Sequence, residues 1–335
     1  MANSISQTKT VITGVGGWVP EKILTNDDLA KAVDTNDEWI RTRTGISERR
    51  IAAADEASSD MAAKAALAAL EDAGAKPEEI DLLVVATITP DSAMPSTACH
   101  VQAKTGFVNA TCFDISAACT GFVYALDIAH KYIITGASKK AMVIGVDKMS
   151  SVVDWQDRGT CVLFGDGAGA VILEPGNGES RGIVATKTKS DGTLSSILHI
   201  EAGGSAMPLT AENIGERRQY IKMEGNVVFK HAVRSTYEIS EEAINKAGLT
   251  HSDIAWVVPH QANMRIITAI AEKLETPMSR VVTNLERYGN TTAATIPLAL
   301  NEAVKDGRIK EGDYLLFVAF GAGLTWGASV VQWGK

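Results

Sequence analysis

The sequence predicts an α/β fold built from two similar halves. Two observations carry that expectation: helix-like and strand-like segments alternate along the whole chain, and a set of landmarks recurs in the same order in each half. A third sets the scale. The 335 residues are 45% hydrophobic and 21% charged, enough for one large or two medium domains.

Ser58–Ala73 is rich in Ala and Leu and reads as a helix, with Gly74 as its C-cap. Residues 82–87, 111–115 and 141–146 read as buried strands, and 121–134 carries a helical apolar pattern. Residues 169–173 follow Gly165-Asp166-Gly167 and read as a further strand.

The second half repeats this order. Glu71-Asp72-Ala73-Gly74 and the strand after it are echoed by Asn245-Lys246-Ala247-Gly248 and the segment after that. Gly74 and Gly248 lie 174 residues apart, as do Ile80 and Ile254, while Gly136 and Gly307 lie 171 apart. Gly321-Ala322-Gly323 before a strand at 327–332 mirrors the glycines at 165–169. The halves are expected at 1–177 and 178–335, with the junction in Pro175-Gly176-Asn177-Gly178.

A net charge of −8 argues against a general nucleic-acid binder. None of the four cysteines forms a CxxC and no His pair has zinc spacing, so no metal site is expected. The polar first nine residues lack a signal core, and no apolar run approaches membrane-spanning length. The expectation is a cytoplasmic protein with reduced thiols and no membrane partner.

Asp114-Ile115-Ser116-Ala117-Ala118-Cys119-Thr120-Gly121-Phe122 places one cysteine between a strand and a helix. The helix N-terminus favours thiolate, the nucleophilic form, so a depressed pKa is expected there. A buried cysteine acting as a small hydrophobe is the alternative reading. The 171 shift maps Cys119 onto Asn290, ahead of a helix-like segment at 291–304, and the strand ending at Ala86 maps onto one ending at His260. Strand ends and helix starts are where open α/β sheets form active sites. His260 follows an apolar strand and a proline, whereas His130, His231 and His251 sit in structural contexts. Ile12-Thr13-Gly14-Val15-Gly16-Gly17 lacks the third spaced glycine of a dinucleotide turn, and Pro20 interrupts the helix such a turn requires.

Six motifs then carry a family resemblance from about Lys9 to Trp333. They are Asp37-Glu38-Trp39-Ile40 with Thr42-Arg43-Thr44-Gly45-Ile46, the Cys119 run, and Phe164-Gly165-Asp166-Gly167-Ala168-Gly169. Pro259-His260-Gln261-Ala262-Asn263, Tyr288-Gly289-Asn290-Thr291 and Gly321-Ala322-Gly323-Leu324-Thr325-Trp326-Gly327 complete the set. The chain resembles the thiolase-like condensing enzymes, most closely the β-ketoacyl-acyl carrier protein synthase III family. The resemblance implies a thiolase-like fold with an internal pseudo-twofold, layered α-β-α-β-α. It also implies the initiating condensation of fatty acid synthesis, from a short acyl-CoA and malonyl-acyl carrier protein, through acyl-Cys119. A related secondary-metabolism enzyme with another acceptor stays open.

By the same resemblance Cys119, His260 and Asn290 are catalytic, and the backbone N–H groups of Cys119 and Ala322 form the oxyanion hole. His260 Nε2 and the Asn290 amide donate to the malonyl thioester oxygen. Many relatives in that family have glycine where this chain has Ala322. Trp39 and Arg158 match an adenine sandwich, Arg43 a phosphate contact, and Asn226 and Asn263 pantetheine contacts. Phe164, Met223, Gly225 and Phe229 match the tunnel lining. Phe320 and Met94 match the acyl pocket, Met94 reaching it from a homodimer partner. Lys230, Arg234, Arg265 and Lys273 are the candidate carrier-docking residues, with Glu272 standing where some relatives are basic. CoA enters as a thioester substrate, and no permanently bound cofactor is implied.

Overall fold

A computed structural model describes residues 9–176 and 181–334. The first part runs through β1 (Thr10–Trp18), β2 (Lys22–Thr25), α1 (Asn26–Ala30), α2 (Asp37–Thr44), β3 (Glu48–Ile51), α3 (Ser58–Ala73) and β4 (Leu82–Ala86). It continues with α4 (Thr97–Thr105), β5 (Thr111–Ile115), α5 (Gly121–Ile134), β6 (Ala141–Asp147), α6 (Arg158–Cys161) and β7 (Gly167–Pro175). The second comprises β8 (Gly182–Ser190), β9 (Leu198–His199), β10 (Lys222–Met223), α7 (Gly225–Ala247), β11 (Ile254–Pro259) and α8 (Met264–Lys273). After these come α9 (Leu285–Tyr288), α10 (Thr295–Lys305), β12 (Tyr314–Gly321) and β13 (Thr325–Gln332).

The repeat read from the sequence is a repeat of topology. One sheet has the order β1-β7-β6-β4-β5 and the other β8-β13-β12-β11. In both, a parallel pair (β4 with β6, β11 with β12) is followed by antiparallel pairings. A parallel bridge between Val257 and Val281 stands where β5 pairs with β4 in the first sheet.

Five layers result. The Ala-rich face of α3 and α4 covers one side of the first sheet, where Ala62, Ala65, Ala66 and Ala69 are buried. Helices α5 and α10 lie between the sheets, where Phe122, Leu126, Val258, Ile296 and Phe317 share one apolar core. Helices α7 and α8 cover the second sheet through Val228, Ala232, Ile239, Ile267 and Ile270. Burial on both sides explains the near-continuous apolar runs of β4, β6 and β12. At Gly145 in β6 a Cβ would lie 2.2 Å from the Ala293 carbonyl oxygen, so only glycine lets the start of α10 approach that strand.

Several boundaries differ from the periodicity reading. β7 and β13 each begin two residues earlier, because Asp147 and Val146 pair with Gly167 and Ala168, and Gly321 and Phe320 with Thr325 and Trp326. The expected junction at 177/178 falls outside the described residues. Among those described, no helix is long and apolar enough to cross a membrane.

The duplication itself needs one correction. Ala118 and Thr292 both adopt positive φ, at 46° and 49°, an uncommon conformation for residues with a Cβ. Each opens a 3₁₀ turn, Ala118–Thr120 or Thr292–Ala294, that runs into α5 or α10. These residues lie 174 apart, so the backbone equivalent of Cys119 is Ala293 and not Asn290. The 171 shift holds only at the far ends of the two helices, because α10 has 11 residues and α5 has 14.

Candidate active site

Cys119 is the middle residue of the 3₁₀ turn that leads into α5, and it is buried. The end of β12 closes on it: a Cβ at Gly321 would sit 2.8 Å from the Cys119 nitrogen. Thr120 Oγ1 donates to the Thr325 carbonyl at 3.0 Å, tying this turn to the start of β13. Ala322, in the bend between β12 and β13, is not among the residues with positive φ, so alanine serves there without strain.

His260 follows Pro259 at the end of β11, where its N–H donates to the Val318 carbonyl at 2.8 Å. Its Nδ1 lies 2.7 Å from Thr295 Oγ1. Burial lowers its pKa to about 3, so the ring is neutral. Asn290 is held by its backbone: its N–H donates to the Leu163 carbonyl at 2.8 Å, and its carbonyl accepts from Gly165 N at 3.1 Å. Its Oδ1 accepts from Thr292 N at 2.8 Å, which leaves Nδ2 as the free end of the amide.

One cavity of about 330 Å³ is lined by Cys119, His260, Asn290 and Ala322 together. The structure thus brings together residues 119, 260, 290 and 322 from both halves. Trp39, Arg43, Phe164, Met223, Gly225, Asn226, Phe229, Asn263 and Phe320 line the same cavity. Asn263 Oδ1 is occupied as the N-cap of α8, accepting from Arg265 N at 2.9 Å.

Two expectations are corrected. Cys119 does not have a depressed pKa. Burial first, then the negative charge of Asp147, push it up to about 12, against the pull of a backbone hydrogen bond. No slot for a base lies between Trp39 and Arg158. The Arg158 guanidinium carbon sits 5.2 Å from the Trp39 ring centroid, where an intervening base needs roughly 7 Å. Arg158 is held there by Asp34, through its carbonyl at 2.7 Å and its carboxylate at 3.1 Å, and Arg43 stacks on the same indole at 4.7 Å. Met94, expected to act on a partner's pocket, is 85% exposed and lies outside the cavity of its own chain.

The candidate docking residues divide. Arg265 reaches the cavity and lies over Phe229 at 5.6 Å, and Lys230 is exposed on α7. Arg234 is paired with Glu238 at 2.8 Å, and Lys273 lies over the Tyr237 ring at 5.2 Å. His130 bonds Thr10 Oγ1 and His251 bonds Glu241, which fits their structural reading.

Sequence reasoning missed Asp147, Thr292 and Thr295. Asp147 is fully buried at the end of β6 and accepts from Thr87 Oγ1, Ile88 N, Thr89 N, Thr89 Oγ1 and Thr292 Oγ1. Burial raises its pKa, against the pull of these donors. Its signal was legible: a lone acid ending a continuous apolar run. The hydroxyls of Thr292 and Thr295 had none beyond lying just after Asn290.

Family models for 3-oxoacyl-[acyl-carrier-protein (ACP)] synthase III match residues 113–192, and for its C-terminal part residues 244–333. Beta-ketoacyl-[acyl-carrier-protein] synthase III of Caldanaerobacter subterraneus is 51% identical over 325 residues, covering 97% of this chain and 98% of the relative. That of Clostridium acetobutylicum is 52% identical over 324 residues, with 97% and 98% coverage. The crystal structure of 3-oxoacyl-[acyl-carrier-protein] synthase III from Aquifex aeolicus superposes with a TM-score of 0.90 at 50% identity, covering 97% of this chain and all of that one. The chain therefore belongs to the β-ketoacyl-acyl carrier protein synthase III family, thiolase-fold acyltransferases that make the initiating condensation of fatty acid synthesis.

Proposed function

We propose that this chain condenses a short acyl-CoA with malonyl-acyl carrier protein through an acyl-Cys119 intermediate. One observation carries the reading: a single cavity joins Cys119 to His260 and Asn290 and extends to the half-exposed Trp39 and the exposed Arg43. Cys119 attacks the primer thioester and CoA leaves. Malonyl-carrier protein enters the same cavity and loses CO2, and the carbanion takes the acyl group from Cys119, giving 3-ketoacyl-carrier protein. The Asn290 Nδ2 and the His260 ring face the thioester oxygen on which charge develops. Fixed donors in a dry site are the groups best able to stabilise such an oxygen. The backbone N–H groups of Cys119 and Ala322 receive the tetrahedral oxyanion on the acyl-cysteine.

Trp39 and Arg43 receive the nucleotide end of CoA, an aromatic face and a guanidinium suiting a planar phosphorylated ligand. Asn226 and Asn263 hold the pantetheine. Arg265 and Lys230 lead docking of the acidic carrier, which a chain of net charge −8 has to attract locally.

The enzyme is proposed to act as a homodimer in which Met94 of one subunit caps the acyl pocket of the other, consistent with its exposure. A flexible methionine there admits a branched primer. The test is a panel of acyl-CoAs with malonyl-carrier protein, reading the ketoacyl product. Product from acetyl-CoA and isobutyryl-CoA is expected. No product from any acyl-CoA would overturn the function, and negligible isobutyryl turnover beside acetyl would overturn the wider pocket.

A further inference from the structure

We propose that Asp147 is a positioning residue for Asn290: its carboxylate fills a second copy of the oxyanion hole and so fixes the Thr292 turn that aims the Asn290 amide. The two halves match residue for residue at this point. In the parallel ladders Leu82 pairs with Ala141 and Trp256 with Leu315, each residue of the second pair lying 174 positions after its counterpart. The same step takes Cys119 to Ala293, Lys148 to Ala322 and Asp147 to Gly321. Asp147 ends β6 as Gly321 ends β12.

The copies differ in what stands at that strand end. Gly321 has no side chain to place on the Cys119 turn, and even a Cβ would crowd the Cys119 nitrogen. In the other copy Asp147 Oδ2 accepts from the Ala293 N–H at 3.4 Å and from the Thr292 hydroxyl. The Lys148 N–H donates to Thr89 Oγ1 at 2.8 Å, and that hydroxyl donates to Asp147 Oδ1 at 3.0 Å. Both N–H groups that correspond to the hole are thus spent inside the protein, one of them on a carboxylate, the charge match of an oxyanion. Asp147 and Ala293 are at most 1% exposed and lie behind the cavity wall, which Thr292 helps to form.

The filled copy has a task of its own. A φ of 49° is unfavourable for a β-branched residue, and the bonds from Asp147 to the Thr292 hydroxyl and the next N–H hold it there. With the turn fixed, the Thr292 N–H meets Asn290 Oδ1 at 2.8 Å and leaves Nδ2 for the cavity. One copy of the turn therefore receives substrate charge, while the other has taken in a charge from the protein to aim a side chain. This consequence rests on the reading of Asn290 and of the oxyanion hole given above.

The test follows both partial reactions in Asp147→Asn and the melting temperature of Asp147→Gly. Asp147→Asn should slow malonyl-carrier decarboxylation about 10- to 10²-fold, the scale of a misplaced group, while acyl loading from labelled acetyl-CoA holds or rises. In an Asn290→Ala background it should cost no more than about twofold further, because the amide it aims is gone. Equal loss of both partial reactions, or the full loss repeated in that background, would overturn the positioning role. Formate should raise the melting temperature of Asp147→Gly and not that of the wild type, with chloride at equal concentration doing neither. A variant that folds only in formate gives the same answer, and one that formate does not stabilise refutes the filled hole. Should Asp147→Asn not fold, the partial reactions are read in Asp147→Gly, where formate should restore decarboxylation. A wild type that decarboxylates no malonyl-carrier refutes the functional reading instead, and the response to formate still decides whether Asp147 fills the hole.

Discussion

The Thr292 backbone N–H donates to Asn290 Oδ1 at 2.8 Å, and this bond decides which end of the amide meets the cavity. With its oxygen occupied, Asn290 can only offer a donor. Asn290→Ala removes that donor from the malonyl half of the reaction. Malonyl-carrier decarboxylation should fall by about 10²–10³, while loading of labelled acyl-CoA onto Cys119 stays largely intact. Loss of both partial reactions in a folded variant would refute the division of roles.

Cys119→Ala should abolish acyl loading. In the wild type the thiol is protonated at neutral pH, because burial pushes its pKa up to about 12. Alkylation by iodoacetamide, followed by intact mass, should therefore accelerate about tenfold per pH unit from pH 7 to pH 9, as the thiolate fraction grows. A rate independent of pH in that range would mean the thiolate already predominates.

Asp147 raises the Cys119 pKa through its charge, so Asp147→Asn should speed alkylation at pH 8. It should also destabilise the fold by roughly 1–3 kcal/mol, because an asparagine amide turned toward the Thr292 hydroxyl and the Ala293 N–H sets donor against donor. Urea midpoints report the second effect. Unchanged alkylation would show that burial alone holds the thiol protonated.

Acid stability follows from one buried and one partly buried histidine. Burial lowers His260 to about 3 and, as the largest cause, His130 to about 4, both below the ordinary 6.5. A depressed folded-state value means that the unfolded chain takes up protons first. The stabilisation is present above pH 6.5 and is lost as pH falls toward 4 and then 3. The urea midpoint of the wild type should decline across pH 6.5 to 4, and the decline should be shallower in His260→Gln and in His130→Gln. Equal slopes in all three would place the acid sensitivity in other groups.

Trp39 carries Arg43 and Arg158 on its ring. Trp39→Ala should weaken acyl-CoA binding by about 1–2 kcal/mol, read as a rise of roughly tenfold in KM with little change in kcat. A fall in kcat alone would remove Trp39 from the nucleotide site.

Much of the fold was legible. α3 and α5 have the bounds their apolar patterns predict, because each buries one stripe against a sheet. The start of α10 was misread, since the apolar run continues through residues that a positive φ at Thr292 keeps out of the helix. That turn is a tertiary choice: it packs against Gly145 and bonds Asp147, both distant in sequence.

The order of elements, the repeat and the identities of Cys119, His260 and Asn290 were set by sequence alone, since periodicity and motif are local properties. What each group does at rest was decided by tertiary structure. Cys119 is a thiol because the end of β12 and Asp147 surround it, where its place before a helix had suggested a thiolate. Asn290 presents its donor, and Arg158 lies on Trp39, because Thr292 and Asp34 hold them there. Desolvation and hydrogen-bond direction depend on which distant segments meet around a group.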